Sequence, residues 1–167
     1  MKRNTKLVLV LVVALFVALI PLYVYTRPAQ TGEGTLQIKG QVNNPSNTTF
    51  SQLEAMASTT VQVTLSSSSR PSDNGVFNYK GVKLSELLTD AGVASNATSV
   101  FVQASDGYGT SIPIQDAMKQ DTIIAYQKDD QPLSALKDGG EGPVRLIIGS
   151  DQFAQRWVRG VAAIEVR

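Results

Sequence analysis

The chain has 167 residues, of which 15 are lysine or arginine and 14 are aspartate or glutamate, and it contains neither cysteine nor histidine. This length is enough for one domain and an appendage. The missing cysteines and histidines exclude disulfide cross-links, His-ligated zinc, and Ser-His-Asp or Cys-His catalysis.

The first predicted element is an apolar helix near the N-terminus. Residues 7–25 are nineteen residues without a charge, and at about 1.5 Å per residue such a helix spans roughly 28 Å, close to the hydrocarbon thickness of a bilayer. Basic residues precede it, so the positive-inside rule places residues 1–6 in the cytoplasm and the chain after Arg27 outside. We predict a single-pass signal anchor in the cell membrane. A cleaved signal peptide is the alternative, although residues 23–28 lack the small-residue pattern of a cleavage site.

A polar linker is predicted over residues 26–35, followed by one exported domain over residues 36–167. Beyond Arg27 lie eleven basic and all fourteen acidic residues, so the exported part carries a net charge of −3. This balance argues against a nucleic-acid partner. Without disulfides, a hydrophobic core must hold the domain together.

The domain is predicted to alternate short strands and short helices. The strand predictions rest mainly on apolar side chains that recur every second residue, and the helix predictions on helical spacing and capping signals. Strands are predicted at 36–42, 59–65, 76–79, 98–104, 108–112, 123–126, 144–148 and 161–166, and helices at 51–57, 84–91 and 114–118. Residues 43–47 and 129–132 are read as turns. This order indicates an α+β domain built on a mixed sheet.

Four sets of residues resemble, in this order, the molybdopterin-binding domain of the sulfite oxidase family. They are residues 36–45, residues 79–88 (YKGVKLSELL), residues 104–114 (ASDGYGTSIPI), and a set formed by residues 124–126, 131–133 and 142–148. The resemblance covers residues 36–166. It implies a sulfite oxidase-like molybdopterin-binding fold, preceded here by one transmembrane helix.

The same resemblance implies a pocket for molybdopterin, a large anionic cofactor that carries a phosphate. Arg145, Arg156 and Arg159 would then contact the phosphate. Asp106 and Tyr108 would lie on a loop that faces the pocket. The alternative is that the arginines only solvate an exposed strand and that the Asp–Gly pair is only a tight turn.

The sequence departs from the family at the metal ligand. Family members place a metal-binding cysteine just after the strand that corresponds to residues 59–65, whereas this chain has four serines at 66–69. Ser67 is the nearest match by spacing, but a serine hydroxyl is a poor substitute for a thiolate. Four consecutive serines are more typical of a relaxed loop than of a ligand. We therefore predict no His- or Cys-based metal site.

Two functions of different class remain open. The first is a non-catalytic module whose pocket binds an anionic ligand or a partner protein. The second is a molybdopterin-dependent oxidoreductase component with a Cys-free site, in which Ser67, Asp106 and Tyr108 would line the redox centre. The missing thiolate favours the first.

Overall fold

The computed structural model describes residues 34–66, 74–151 and 153–167. These residues belong to one structural unit. In these ranges no helix has the length and apolar character that crossing a membrane requires. The predicted helix at 7–25 and most of the predicted linker lie outside the described residues.

Eleven strands and three α-helices are found in the described ranges. The strands are β1 (Thr35–Gly40), β2 (Ser46–Thr49), β3 (Thr59–Leu65), β4 (Gly75–Lys83), β5 (Ser99–Ala104), β6 (Gly109–Pro113), β7 (Thr122–Lys128), β8 (Gln131–Pro132), β9 (Arg145–Ile148), β10 (Val158–Arg159) and β11 (Val161–Val166). The helices are α1 (Phe50–Ala55), α2 (Leu84–Ala91) and α3 (Ile114–Ala117), and a 3₁₀ turn covers Leu136–Asp138.

The strands form two sheets, where the sequence predicted one. The first sheet has the order β2-β1-β11-β5-β6. It is mixed, because β1 and β11 run parallel while the other pairs are antiparallel. The second sheet has the order β10-β9-β7-β4-β3, with β8 paired to β7, and its pairs are all antiparallel. The predicted mixed sheet is therefore confirmed for one of two sheets.

Local signals explain most of the element boundaries. The side chains of α2 that face the core are Leu84, Leu87, Leu88 and Ala91, and Gly92 ends this helix in the left-handed conformation with φ of 67°. The β7–β8 hairpin turns through Asp129 and Asp130, both at positive φ, as two-residue hairpins require. The helix prediction is confirmed, and the turn prediction at 129–132 is confirmed for Asp129 and Asp130, whereas Gln131 and Pro132 form β8.

The start of α1 differs from the prediction. The sequence suggested a capping box from Ser51 to Glu54, but Thr49 is the N-cap, with its side chain accepting from the Gln52 backbone N–H and the Gln52 side chain accepting from the Thr49 N–H. Thr49 and Gln52 have the same spacing as the predicted pair. Of residues 43–47, which were expected as a turn, residues 43–45 lie outside the strands, and Ser46 and Asn47 begin β2, which pairs with β1.

The core is one hydrophobic cluster to which both sheets and α2 contribute. Fully buried members include Ile38 and Ile164 of the first sheet, Ile124 and Leu146 of the second, and Leu88 of α2. Burial of each such side chain contributes about 1.5–3 kcal/mol. This packing stabilises the domain without disulfides, as the composition requires.

Candidate anion-binding cleft

A cleft of about 400 Å³ lies beside the β9–β10 edge of the second sheet. Its polar and aromatic lining is formed by Asp106, Tyr108, Arg145, Gln155, Trp157 and Arg159, and Leu136 and Ala154 complete it. Four of the six residues predicted from the sequence therefore line one concavity.

The two arginines are brought together by strand register. Arg145 of β9 and Arg159 of β10 are directly paired across the antiparallel ladder. Residues opposite each other on neighbouring strands project from the same face of a sheet. The pairing therefore places both guanidinium groups on the cleft side, fourteen residues apart in the sequence.

The Asp106–Tyr108 loop reaches the cleft from the first sheet. It joins β5 to β6, and the Asp106 Oδ1 accepts a hydrogen bond of 2.9 Å from the Tyr108 backbone N–H, which makes a local Asx-type turn. The Ser105 N–H donates to the Gly160 carbonyl at 2.9 Å and attaches the loop to the β10–β11 turn. The Asp–Gly pair is thus a tight turn that also lines the cleft.

Arg145 lies in a buried ionic network. Its residue exposure is 7 %, its Nη1 donates to the Tyr79 hydroxyl oxygen at 3.0 Å, and it forms an ion pair with Glu141. The Tyr79 hydroxyl in turn donates to Glu141 Oε2 at 2.8 Å. The Lys128 Nζ lies 3.3 Å from Glu141 Oε1. One carboxylate therefore bonds a phenol and two cations.

The pKa values of this network are consistent with these hydrogen bonds. Burial, together with the nearby Glu141 charge, raises the pKa of Tyr79 well above its ordinary value, although Arg145 opposes the shift. Burial pushes the pKa of Glu141 upward, but the Arg145 charge and its hydrogen bond outweigh burial and leave that pKa below its ordinary value. Near neutral pH, Tyr79 is a neutral donor and Glu141 a carboxylate.

One edge of the Arg145 guanidinium group is left without a partner. Its Nε is buried and makes no hydrogen bond to any residue the structure describes. The guanidinium carbon lies 5.1 Å from the centre of the Trp157 ring, within cation–π range. A buried N–H donor without an acceptor is costly, so this atom indicates that the described residues alone do not satisfy Arg145.

The remaining charges of the cleft are exposed. Arg159 is solvent-accessible and forms no ion pair within the described ranges. Asp106 is the carboxylate among the lining residues, and two arginines oppose it. Because Glu141 already neutralises much of the Arg145 charge, Arg159 is the cation best placed to attract an anion.

Arg156 is not among the residues that line the cleft. Its Nη1 lies 2.6 Å from Asp116 Oδ2, and it binds the Asp151 carboxylate through Nε, at 3.0 Å, and through Nη2. These hydrogen bonds, that of Asp151 first, raise the pKa of Arg156. Two carboxylates therefore neutralise an arginine that the sequence assigned to a phosphate.

Ser67 lies outside the described residues, so its place in the site stays a prediction. The sequence reading also missed residues that the structure places in or under the cleft, namely Tyr79, Leu136, Glu141, Ala154, Gln155 and Trp157. Signals existed for two of them. Tyr79 opens a segment that carried the family resemblance, and Glu141 interrupts the glycine-rich stretch just before β9.

The donors of the cleft fit one end of the implied cofactor better than the other. Arg159 and the unpaired Arg145 Nε suit an anionic group such as a phosphate. The metal end of molybdopterin calls for a thiolate, and the chain has no cysteine. Among the described residues no three acidic side chains come close enough to hold a metal. The fit is therefore to an anion and not to a thiolate-ligated metal.

Comparisons with known proteins agree with this architecture. Residues 25–167 match the family model described as "Oxidoreductase molybdopterin binding domain". The chain is similar to the uncharacterized oxidoreductase YuiH of Bacillus subtilis (strain 168), at 26 % identity over 85 residues, which cover 50 % of this chain and 41 % of that protein.

Among solved structures, the fold resembles the sulfane dehydrogenase SoxCD from Paracoccus pantotrophus, with a TM-score of 0.68 and 22 % identity over 84 % of this chain and 39 % of that chain. The match therefore spans about two-fifths of the length of each of these relatives. At this identity the structural likeness concerns the fold. It confirms the fold that the four sets of residues predicted.

Proposed function

Because this chain belongs to the oxidoreductase molybdopterin-binding domain family, we propose that it is a binding module that receives an anionic ligand, or an anionic group of a partner protein, in the cleft between Arg145 and Arg159. In this proposal the domain performs no redox step of its own. The observation that carries the proposal is the buried Arg145 Nε, which has no described hydrogen-bond acceptor.

The volume of the cleft and the residues that line it suit the binding of a small ligand. A volume of about 400 Å³ lies within the range of ligand pockets. The exposed Tyr108 offers aromatic surface for an apolar or planar part, while Arg159 offers charge. The ligand class is therefore a small molecule, or a short exposed segment, with one anionic group.

The missing thiolate supports a binding role over a catalytic one. The chain contains no cysteine and no histidine, so thiolate and imidazole ligands for a redox metal are absent from its sequence. The alternative is a molybdopterin-dependent oxidoreductase component, which family membership and the similarity to the Bacillus oxidoreductase favour. In that case Arg145 and Arg159 would hold the cofactor phosphate, and the cofactor would supply the redox-active metal.

Ligand binding can be measured directly because the chain has one tryptophan and this residue lines the cleft. We expect pyrophosphate, used as a simple anionic probe, to change the Trp157 emission of the full chain. Arg159→Gln should weaken this binding by about 10-fold or more, since a charge-assisted hydrogen bond contributes about 1.5–3 kcal/mol.

Arg167→Gln is the matched control. Arg167 is also exposed, but it pairs with Glu165 and lies over the Phe101 ring, away from the cleft lining. This variant should bind pyrophosphate as the parent does. Equal affinity of the Arg159→Gln variant and the parent would contradict the proposed site.

The pterin and metal content of the purified protein distinguishes the two proposed functions. The full chain should be produced in a host that makes molybdopterin and assayed for released pterin fluorescence and for bound molybdenum or tungsten. A binding module without its own redox centre yields no stoichiometric metal. Stoichiometric pterin and metal would establish the oxidoreductase component and overturn our proposal.

We also propose that residues 7–25 anchor the domain in the cell membrane, with residues 1–6 in the cytoplasm and the domain outside. The uncharged length of this segment and the basic residues before it support this orientation. The net charge of −3 beyond Arg27 supports a partner other than nucleic acid.

A further inference from the structure

The strand β3 forms an open edge of the second sheet. It lies at the end of the strand order and pairs with β4 through seven residues, from Thr59 with Gly81 to Leu65 with Gly75. Within the part of the chain that the structure describes, its backbone makes no hydrogen bond except to β4. The other terminal strands β2, β6 and β10 have four, five and two residues. Among these four strands, β3 therefore has the longest row of unpaired backbone groups.

Nothing in the sequence of β3 protects this edge. Natural edge strands are usually blocked by charges, prolines, bulges or a covering element. The seven residues TTVQVTL contain no charge, no proline and no glycine, and most have high β propensity. Such an edge is suited to pair with another strand.

The sequence of β3 selects the partner. Residues 60–64 read T-V-Q-V-T, the same in both directions. When two identical strands pair antiparallel about a two-fold axis at Gln62, Thr60 faces Thr64 and Val61 faces Val63. Like pairs of this kind, threonine with threonine and β-branched with β-branched, are favourable across an antiparallel ladder.

The exposure pattern agrees with this register. Thr60, Gln62 and Thr64 are exposed, whereas Val63 is buried, so the pairing continues both the solvent face and the core face of the sheet. Gln62 Nε2 donates to Asn78 Oδ1 on β4 at 3.2 Å. Its carbonyl oxygen and second amide hydrogen can then bond the Gln62 of a second copy.

The uncharged strand β3 adds no electrostatic repulsion to a contact at this edge. The chain beyond Arg27 has a net charge of −3, so two copies repel each other on average. The uncharged β3 lets them meet without placing like charges opposite each other. We propose that β3 pairs antiparallel with β3 of a second copy of this chain about a two-fold axis at Gln62, which makes the second sheet continuous across a homodimer.

Cysteine cross-linking tests the register. The chain has no cysteine, so Gln62→Cys introduces a single thiol. In the full chain in detergent, mild oxidation should convert this variant to a covalent dimer, because directly opposed Cα atoms lie about 4.5–5.5 Å apart, within the range of a disulfide. Thr64→Cys is the matched control on the same strand and face. Its two copies would lie about 13 Å apart along the ladder and should remain unlinked.

Charge substitutions test the same contact without cross-linking. Gln62→Lys and Gln62→Glu should each weaken the dimer by about 10-fold or more in sedimentation velocity, because each places like charges at the two-fold axis. An equimolar mixture of these two variants should dimerise again, since residue 62 faces itself only in this register. Circular dichroism and the thermal midpoint of each variant should match those of the parent.

Several results would overturn the proposal. A full chain that is monomeric at all accessible concentrations would do so, as would equal cross-linking of the Gln62→Cys and Thr64→Cys variants. A monomer in which Cys-reactive reagents fail to modify the Gln62→Cys variant would show instead that residues 1–33 or 67–73 of the same chain cover β3. An unchanged dimer in the Gln62→Lys variant would place the contact elsewhere.

Discussion

Arg145 lines the cleft, and its neighbours leave its buried Nε without an acceptor among the described residues. Among the charged residues in the described ranges, Arg145 is the one that is buried. A buried charge is tolerated when it is paired and hydrogen-bonded, and Glu141 and Tyr79 meet this requirement at Nη1. The carboxylate thus makes it possible to bury an arginine whose Nε has no acceptor among the described residues.

The Glu141→Gln substitution should destabilise the folded domain. It keeps the shape of the side chain but removes the charge that compensates Arg145. We expect the free energy of unfolding to fall by about 2–3 kcal/mol in urea titrations, less than for a fully buried pair because Glu141 retains solvent contact. In Glu165→Gln, which breaks the exposed pair with Arg167, the loss should stay below about 1 kcal/mol. Equal losses would contradict a compensating role for Glu141.

The contribution of Glu141 should depend on pH in a defined direction. Its pKa in the folded protein lies below the ordinary value of 4.5, so the folded state binds this proton more weakly than the unfolded state. The resulting stability is fully present above pH of about 4.5 and is lost as the pH falls through the lowered pKa. Urea titrations at a series of pH values should therefore show the parent and the Glu141→Gln variant converging in acid. A difference that grows in acid would contradict this assignment.

At the scale of elements, the β10–β11 turn connects the parts of the cleft. Gly160 sits in this turn at φ of 59°. Its N–H donates to the Glu141 carbonyl at 3.0 Å, and its carbonyl accepts from Ser105 at 2.9 Å. A Cβ at this position would lie 2.2 Å from Leu136 Cδ1. One glycine thereby joins the loop before β9, the β5–β6 loop and the 3₁₀ turn.

Gly160→Ala should therefore disturb both stability and the cleft. The positive φ and the contact with Leu136 together should lower the free energy of unfolding by about 2–4 kcal/mol. Gly139→Ala is the matched control, because Gly139 also has a positive φ of 77° but no atom within 4 Å of an added Cβ. It should cost about 1 kcal/mol. Urea unfolding gives both values, and a Gly160 variant as stable as the Gly139 variant would show that Leu136 moves aside freely.

At the scale of the whole molecule, the cleft depends on both sheets. In the first sheet the strands β1 and β11, near the two ends of the domain's sequence, are parallel neighbours, and Ile38 pairs with Ile164. The β5–β6 loop of that sheet meets β9 and β10 of the second sheet at the cleft. The residues that line the cleft therefore come from elements of both sheets.

The proposed anchor is also a property of the whole chain. The full chain should sediment with membranes and resist extraction at alkaline pH, whereas a chain that starts at residue 28 should appear in the soluble fraction. These outcomes follow from the insertion of about nineteen uncharged residues into the bilayer. N-terminal mass spectrometry of the full product separates an intact anchor from a cleaved signal peptide, and release of an intact full chain by alkali would contradict anchoring.

Local patterns in the sequence determined much of the fold. The spacing of Leu84, Leu87 and Leu88 and the glycine after Ala91 specified α2, because helix periodicity and capping depend on neighbours within a few residues. The Asp129–Asp130 turn was readable for the same reason. The four sets of residues pointed to the family, and the composition alone removed thiolate and imidazole chemistry from the site.

Only the tertiary structure decided which of the predicted arginines face the cleft. Arg156 is neutralised by Asp151 and by Asp116, which lies forty residues away in sequence, while Arg145 pairs with Glu141 and contacts Tyr79, sixty-six residues away. Such partners are set by sheet register and by the loops that the register brings together. A local pattern carries no information about that register, because the charge of an arginine is the same whether its neighbour in space is a carboxylate or an open cleft.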